Sequence, residues 1–241
     1  MARRTRASEL ARRERFTSLF SVPVIVFDFD GVLVDSERFH YAAYNAVFKK
    51  YGHSINEAEY YKYWTSLGQG PAGEIERHRL ALNPRHIRGE KRPIFSEYCR
   101  NGTIRFFPEA REMVARLWRA EKTLAIASGT TLPDIEAILK NEKLKGRFAA
   151  IAGSDTVSLL KPAPDIFLHV LRALGVPPSQ ALVVEDAEKG LYGAIAAEIP
   201  VVIVRTPETR TIDFSAADLV LDSHAELVDM VRRTFPERAD G

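Results

Sequence analysis

The stretch VIVFDFDGVLVDSE, residues 24–37, decides the fold of this chain. Its first four residues are apolar, and Asp28 and Asp30 follow at once, with Gly31 behind them. A short apolar run without polar alternation predicts a strand buried on both faces, as in a parallel sheet. Carboxylates packed at the end of such a strand repel one another and raise one another's pKa, so their presence there needs a chemical reason.

Similar apolar runs recur along the chain, each bounded by Gly, Pro, Ser or Asp. They lie at residues 123–127, 149–152, 181–184, 201–204 and 219–221. Helical patterns accompany them at residues 109–120, 133–140, 165–174, 188–197 and 225–234. Because strands that alternate with helices form βαβ units, we predict an α/β fold with a Rossmann-like, mostly parallel sheet flanked by helices.

A long segment, residues 36–105, interrupts this alternation after the first strand. It carries helical patterns at residues 39–50, 58–67, 73–82 and 95–99, separated by breaks that include Pro84 and Pro93. Since an unstructured loop of this length is implausible inside a compact domain, we expect a small inserted helical domain. The predicted organisation is a basic N-terminal extension at 1–20, an α/β core at 21–36 and 106–241, and the α-helical domain at 37–105.

The composition is that of an ordinary soluble globular protein, with 46% apolar and 27% charged residues among 241. Cys99 is the only cysteine, which excludes an internal disulfide and fits a reducing cytoplasm. No apolar run reaches the roughly 18 residues of a membrane span, and no apolar stretch follows the N-terminal charges as in a secretory signal. We expect a cytoplasmic protein without a membrane partner, as a monomer or a homodimer.

Positive charge is concentrated at the N-terminus, where residues 1–16 hold six arginines and two glutamates. This segment carries +4 of a chain whose net charge is +2, so the remainder is not basic. A basic arm could contact nucleic acid or an anionic membrane surface. The pattern favours a solvated, partly helical extension instead, and we expect no nucleic-acid partner.

Polar residues follow several of the predicted strands. They are Asp28 and Asp30, then Ser128, Gly129 and Thr130, then Lys161, then Glu185 and Asp186. In an open parallel sheet, ligands bind beyond the carboxyl ends of the strands, so these residues are expected to share one edge. A hard divalent cation such as Mg²⁺ neutralises grouped carboxylates and leaves a place for a substrate phosphate. Lys161, Ser128 and the amides near Gly129 are suited to bind phosphate oxygens.

Four ordered motifs, FDFDGVLVDSE, IASGT, KPAPDIF and VVEDAEKG, resemble those of haloacid dehalogenase-like (HAD) phosphotransferases. The resemblance spans about residues 22–222 and points to the subgroup that includes β-phosphoglucomutase and phosphoglycolate phosphatase. It is strong in the core and weak in the inserted segment. The resemblance implies an enzyme that transfers a phosphoryl group through an aspartyl-phosphate, with Mg²⁺ as cofactor and the insert as a cap domain over the site.

The resemblance also implies roles for single residues. Asp28 would be the nucleophile and would bind Mg²⁺, while Asp30 would protonate the leaving alcohol, later activate water, and bind the metal through its main-chain carbonyl. Ser128 and Lys161 would hold the phosphoryl group. From the residues themselves, Gly31 and Gly129 are further candidates for phosphate binding, and Gly31 is expected to permit a close backbone approach or an unusual φ. Covalent catalysis splits one hard displacement into two easier steps, and a lysine offsets charge on the transferring group.

The fourth motif would complete the metal site. Asp186 would be a metal ligand, and Glu185 would act on the metal directly or through water, whereas Asp35 is expected as a hinge or helix cap. Two positions depart from the family pattern. Ala187 replaces a usual Ser or Thr, which removes about 1 kcal/mol of helix capping. Glu198 replaces a usual Gly before a strand, where a non-glycine residue is expected to be strained.

The cap would choose the substrate. Its candidate contacts are His40, with Tyr44 on the same helix face, and Gln69. The alternative for His40 and Tyr44 is packing or hydrogen bonding at the domain interface, and for Gln69 it is a plain glycine-rich turn. Arg77, His78 and Arg79 are expected on a solvated helix face. In the related mutases an arginine follows the glycine of a cap loop, and residues 68–73 offer none. We therefore favour a Mg²⁺-dependent phosphatase of a small phosphorylated metabolite, such as a sugar phosphate. A phosphomutase and a non-catalytic binding module are the alternatives.

Overall fold

The computed structural model describes residues 6–66 and 68–236 of the chain. Within them six parallel strands form one sheet: β1 (Val24–Phe27), β2 (Thr123–Ala127), β3 (Ala150–Ala152), β4 (Ala181–Glu185), β5 (Val201–Val204) and β6 (Leu219–Leu221). Their order across the sheet is β3-β2-β1-β4-β5-β6. The strand order reverses beside β1, which is where ligands bind in open parallel sheets. The fold is the Rossmann-like α/β fold that the sequence predicts.

Helices precede, connect and follow the strands. They are α1 (Arg6–Leu19), α2 (Glu37–Lys50), α3 (Glu57–Glu59), α4 (Gly70–Arg77), α5 (Pro84–Arg100), α6 (Pro108–Arg119), α7 (Leu132–Asn141), α8 (Asp165–Leu174), α9 (Glu188–Ala196) and α10 (His224–Thr234). A π-helical stretch, Tyr60–Ser66, continues α3, and two 3₁₀ turns occur at Lys145–Arg147 and Pro178–Gln180. Over the residues that the structure describes, no helix has the length and apolar character needed to span a membrane.

Apolar side chains pack on both faces of the sheet. Ile25 and Phe27 of β1 face a cluster that includes residues of α1, α6, α7 and α10, whereas Val24 and Val26 face α8 and α9. Both faces of β1 are buried, which is why its sequence lacks polar alternation. A third cluster, built around Trp64, lies within the inserted segment. Other residues of that segment join the core cluster, and the domain boundaries at 37 and 105 stay a prediction.

Helix α5 corrects the sequence prediction for residues 83–99. It runs without interruption through Pro93, rather than starting after it at residue 95. Pro84 occupies the first turn, where a helix needs no backbone donor, and the side chain of Asn83 caps that turn. The buried side chains of α5 are Ile87, Phe95 and Cys99. We attribute the survival of the helix at Pro93 to this packing, which outweighs one lost backbone hydrogen bond.

The prediction for the segment before α5 is also corrected. α4 begins at Gly70 and ends at Arg77, rather than spanning residues 73–82, because Pro71 fits its first turn. The helix expected at 58–67 is instead the short α3 followed by the π-helical stretch. Leu67, the expected end of that helix, lies outside the described residues.

The described part of the N-terminal extension is helical over Arg6–Leu19, as predicted, but it is not a solvated arm. In α1 the ring of Phe16 stacks on Phe20 with centroids 4.1 Å apart, and both side chains are fully buried. Arg12 Nε donates to Glu226 Oε1 of α10 at 2.8 Å. The apolar face of α1 therefore packs on the core, and residues 1–5 lie outside the described part.

Both departures from the family pattern can be seen in the structure, one in the backbone and one in a helix cap. Glu198 has φ of +58°, in the left-handed region that favours glycine, as the resemblance suggested. Ala187 is the N-cap of α9 and supplies no capping side chain. Its own N–H donates to Glu185 Oε2 at 3.1 Å, so a carboxylate of the preceding strand stabilises this helix start.

Candidate active site

β1 brings Asp28 to the carboxyl edge of the sheet. The N–H of Asp28 donates to the carbonyl of Val184 in β4 at 2.9 Å, which fixes its backbone. Gly31 follows with φ of +75°, and its N–H donates to the carbonyl of Val34 at 3.0 Å. A Cβ at Gly31 would lie 2.1 Å from Asp186 Oδ2. Only glycine therefore lets the loop after β1 pass this close to the loop after β4.

Lys161 joins two carboxylates at the centre of the site. Its Nζ donates to Asp28 Oδ1 at 2.5 Å, to Glu185 Oε1 at 2.6 Å and to the carbonyl of Ala127 at 2.8 Å. Burial disfavours its charge, but Asp28 and Glu185 outweigh this and hold the pKa of Lys161 above its ordinary value. Lys161 is therefore a charged ammonium group with all three donors in use.

Glu185 is fully engaged behind the site. One oxygen accepts from Lys161, and Oε2 accepts from the N–H groups of Asp186 at 2.9 Å and Ala187 at 3.1 Å. A Cβ at Gly190 would lie 1.7 Å from Glu185 Oε1, so α9 approaches this carboxylate closely. The side chain is 1% exposed, and these contacts fix the orientation of Lys161.

Asp28, Glu185 and Asp186 form a carboxylate cluster, and each offers an oxygen within 4.8 Å of the others. Burial raises the pKa of Asp28 to about 7, with the charge of Glu185 adding to this and Lys161 opposing it. Burial and the charges of Glu185 and Asp28 raise the pKa of Asp186 well above its ordinary value. One lysine does not neutralise three carboxylates, so these residues fit a divalent cation that prefers oxygen ligands.

Asp30 has hydrogen-bond partners on both oxygens. Oδ1 accepts from Ser36 Oγ at 2.6 Å and lies 3.5 Å from His40 Nε2, while Oδ2 accepts from Thr130 Oγ1 at 2.7 Å and Ser128 Oγ at 3.2 Å. Burial alone would raise the pKa of Asp30, but hydrogen bonds from His40, Ser36 and Thr130 outweigh it and hold the pKa well below the ordinary value. Asp30 is therefore an ionised carboxylate in this arrangement.

The position and tautomer of His40 follow from its neighbours in the insert. Lys91 Nζ lies 2.6 Å from His40 Nδ1, and because an ammonium can only donate, Nδ1 accepts and Nε2 carries the proton. The imidazole stacks on Phe95 with centroids 3.9 Å apart. Burial and the charge of Lys91 lower the pKa of His40. His40 is thus a neutral donor that points from α2 to Asp30 of the core.

A cavity of about 610 Å³ opens between the carboxyl edge of the sheet and the insert. Its described wall includes Asp28, Asp30, Gly31, Gly129, Thr130 and Asp186 from the core, and His40, Tyr44, Tyr60, Tyr61 and Trp64 from the insert. Three predicted site residues lie behind this wall: Ser128, Lys161 and Glu185. Ser128 donates a hydrogen bond to Asp30, and Lys161 donates hydrogen bonds to Asp28 and Glu185. The four predicted loops therefore meet at one edge, with the insert opposite them.

Gln69 is not among the residues that line the cavity, although its neighbour Gly68 is. The side chain of Gln69 is turned along α4, where Oε1 accepts from Arg77 Nη1 at 2.6 Å. Arg77 is not on a solvated face either: its guanidinium lies over the ring of Tyr63 at 4.2 Å and its Nη2 is 2.5 Å from Glu74 Oε2. The expectation for Arg77 differs from the structure because α4 ends at Arg77, earlier than its sequence pattern suggested, whereas a role of Gln69 in binding substrate stays a prediction.

Sequence reasoning assigned no role to several residues that shape the site. Thr130 and Ser36 bind Asp30, and both stand inside the quoted motifs IASGT and VDSE, so small hydroxyls after a strand were an available signal. Lys91 and Arg38 gave no such signal. Lys91 is 51 positions from His40 in sequence, and Arg38 lines the cavity from the insert.

A family model of haloacid dehalogenase-like hydrolases matches residues 25–204, which include Asp28, Lys161 and Asp186. The chain belongs to this family. Protein CbbY from Cereibacter sphaeroides is 32% identical to it over 223 residues, which cover 86% of this chain and 94% of that relative. Fructose-1-phosphate phosphatase YqaB from Escherichia coli is 29% identical over 186 residues, covering 75% of this chain and 95% of YqaB.

Solved structures of HAD-like hydrolases have the same fold. The crystal structure of CbbY from Rhodobacter sphaeroides in complex with phosphate has a TM-score of 0.73 and 32% identity, and covers 86% of this chain and 96% of that one. A mutant of the same protein, in complex with xylulose-(1,5)bisphosphate, gives the same values. The chain is thus an HAD-like phosphatase of the subgroup that the sequence predicts.

Proposed function

We propose that this HAD-like phosphatase hydrolyses a sugar phosphate in a Mg²⁺-dependent reaction that passes through a phosphoryl group on Asp28. The observation that carries the proposal is the pairing of Asp28 with buried Lys161 at 2.5 Å, at a cavity whose wall also holds Asp30. The relative that binds xylulose-(1,5)bisphosphate supports a phosphorylated sugar as the substrate class.

Asp28 is the nucleophile in this proposal. Its carboxylate attacks phosphorus, the P–O bond to the sugar breaks, and an acyl phosphate forms on Asp28. Water then attacks the same phosphorus, releases inorganic phosphate and restores the carboxylate. Lys161 is 4% exposed, so its charge acts on the transferring group with little screening by solvent.

Asp30 handles the protons of both steps. As an ionised carboxylate it is suited to accept the proton of the attacking water in the second step. The first step requires a protonated Asp30, which the hydrogen bonds from His40, Ser36 and Thr130 oppose. Because His40 belongs to α2, a displacement of the insert removes one of these donors. We therefore propose that residues 37–105 act as a cap domain whose position sets the protonation of Asp30.

Mg²⁺ would be held by the carboxylates of Asp28 and Asp186, with the main-chain carbonyl of Asp30 as a further ligand implied by the resemblance. Both carboxylates line the cavity, whereas both oxygens of Glu185 are already engaged. We assign Glu185 to positioning Lys161 rather than to direct coordination. When bound, the ion neutralises charge and polarises phosphoryl oxygens.

The insert supplies the residues suited to choose the substrate. Tyr44, Tyr60 and Trp64 place aromatic rings in the cavity wall, where they can pack on a sugar. Arg38 and Lys189 are cations of the same wall. They suit a second anionic group at the far end of the substrate, as in a sugar bisphosphate.

Phosphate release from a panel of sugar mono- and bisphosphates tests the proposal. We expect turnover with Mg²⁺, loss of turnover on chelation, and loss in Asp28→Asn. Asp229→Asn is the matched control, because Asp229 pairs with Arg233 on an exposed helix face. Full activity in Asp28→Asn would refute the nucleophile, and isomerisation without phosphate release would favour a mutase.

A further inference from the structure

A second group of metal-binding side chains lies in the insert, outside the cavity. His53 precedes α3, Glu74 lies in α4, and His78, four residues after Glu74, is the C-cap of that helix. His53 Nε2 is 2.8 Å from Glu74 Oε1, and His78 Nε2 is 3.5 Å from the same oxygen. One ligand atom of each residue lies within 4.8 Å of the others.

These separations suit a tetrahedral transition-metal ion. Ligands at about 2.0–2.1 Å from Zn²⁺ lie about 3.3 Å from one another in a tetrahedron. The two histidine-to-glutamate distances, 2.8 and 3.5 Å, bracket this value. Glu59 Oε2 is 3.5 Å from His78 Nε2 but does not belong to this mutually close group, so the three residues leave the fourth position open.

The surroundings of Glu74 leave one oxygen for such an ion. Its side chain is fully buried, and Oε2 accepts from Trp64 Nε1 at 3.1 Å and Arg77 Nη2 at 2.5 Å. Oε1 faces the two imidazoles instead. Hydrogen-bond donors to the oxygen that does not bind the metal hold a carboxylate ligand in its orientation, as residues around the ligands do in known metal sites. The positive charge of Arg77 opposes the cation, so the two imidazoles must supply most of the affinity.

We propose that His53, Glu74 and His78 form a three-residue binding site for Zn²⁺ that clamps α4 to the segment between α2 and α3. Neutral imidazoles favour Zn²⁺, whereas the carboxylate cluster of the core favours Mg²⁺. The two sites therefore differ in the metal they select.

The clamp has a direct link to the cavity wall. Trp64 donates to Glu74 and also lines the cavity, so fixing Glu74 fixes an aromatic face opposite the core carboxylates. Zn²⁺ bound here would order the side of the insert that meets the substrate, without touching the phosphoryl group.

Zn²⁺ binding to the metal-stripped protein in saturating Mg²⁺ tests the site, measured by competition with a chromophoric chelator. His53→Gln and His78→Gln are the test variants. His86→Gln is the matched control, because His86 forms an i, i+4 pair with Glu90 on α5, at 2.8 Å, without a second histidine. Circular dichroism without metal establishes that each variant is folded.

We expect one Zn²⁺ per chain in the wild type, and each test variant to lose more than about 10-fold in affinity. The control should keep the wild-type affinity. Co²⁺ in place of Zn²⁺ should give the visible absorption of a tetrahedral site in the wild type but not in His78→Gln. Equal Zn²⁺ affinity in wild type and both test variants, or an equal loss in His86→Gln, would overturn the proposal.

Discussion

The imidazole Nε2 of His40 lies 3.5 Å from Oδ1 of Asp30, so a residue of the insert holds a carboxylate of the core. Lys91 fixes the tautomer by donating to the other ring nitrogen, which leaves His40 as a donor to Asp30. The two parts of the chain are therefore connected through the carboxylate that the proposed reaction needs both with and without a proton.

His40→Ala should raise the pKa of Asp30, because it removes a hydrogen bond that stabilises the charged form. A carbon-detected NMR titration of side-chain carboxyls measures this in the metal-free protein. The control is His86→Ala, whose imidazole is exposed and paired with Glu90. An unchanged Asp30 pKa in His40→Ala would contradict this role of His40 and show that the hydrogen bonds from Ser36 and Thr130 are enough to lower the pKa.

Gly31→Ala should weaken Mg²⁺ binding by about 10-fold or more, because the new Cβ would displace Asp186. It should also cost about 1–2 kcal/mol of unfolding free energy, as a non-glycine residue at positive φ. Gly52→Ala separates the two effects, since Gly52 has φ of +73° with no atom within 4 Å of its Cβ position. Calorimetric Mg²⁺ titrations and urea unfolding of both variants provide the test, and equal Mg²⁺ affinities would contradict it.

The sheet could be predicted from sequence because its strands are buried on both faces. The run at β1 is apolar throughout, and burial of all four side chains explains that pattern. The helices of the insert were harder to predict from sequence. α5, for example, continues through Pro93 because its buried side chains pack against residues that are distant in sequence. Local rules treat that proline as a break, and no local pattern reports the side chains that compensate for it.

The site residues that belong to the α/β core could likewise be predicted from the arrangement of the strands. Parallel strands place their carboxyl ends at one edge, so residues after β1, β2 and β4 had to meet there, whatever their separation in sequence. The contacts of His40 with Lys91 and Asp30 depend on how the insert docks, which no sheet rule governs. The turn of Gln69 toward Arg77 likewise depends on where α4 begins.

The affinity for Mg²⁺ should rise between about pH 6 and 8, because the ion must displace a proton from Asp28 at the lower pH. The pKa of Asp28 is about 7 in the metal-free site, so its proton is bound below that pH and absent above it. The raised pKa of Asp186 acts in the same direction. Calorimetry in two buffers of different ionisation enthalpy measures both affinity and protons released. An affinity independent of pH in this window would contradict a ligand role for Asp28.

Glu198→Gly should stabilise the protein by about 0.5–1 kcal/mol, because relief of the left-handed strain exceeds the entropy that glycine loses on folding. Glu198 has φ of +58° and lies before β5, outside the cavity wall, so turnover should not change. Glu97→Gly is the opposite control: Glu97 sits inside α5 on an exposed face, where glycine should destabilise by about 1 kcal/mol. Urea unfolding of the two variants gives both values. A loss of stability in Glu198→Gly would mean that contacts of the glutamate side chain outweigh the strain of its backbone.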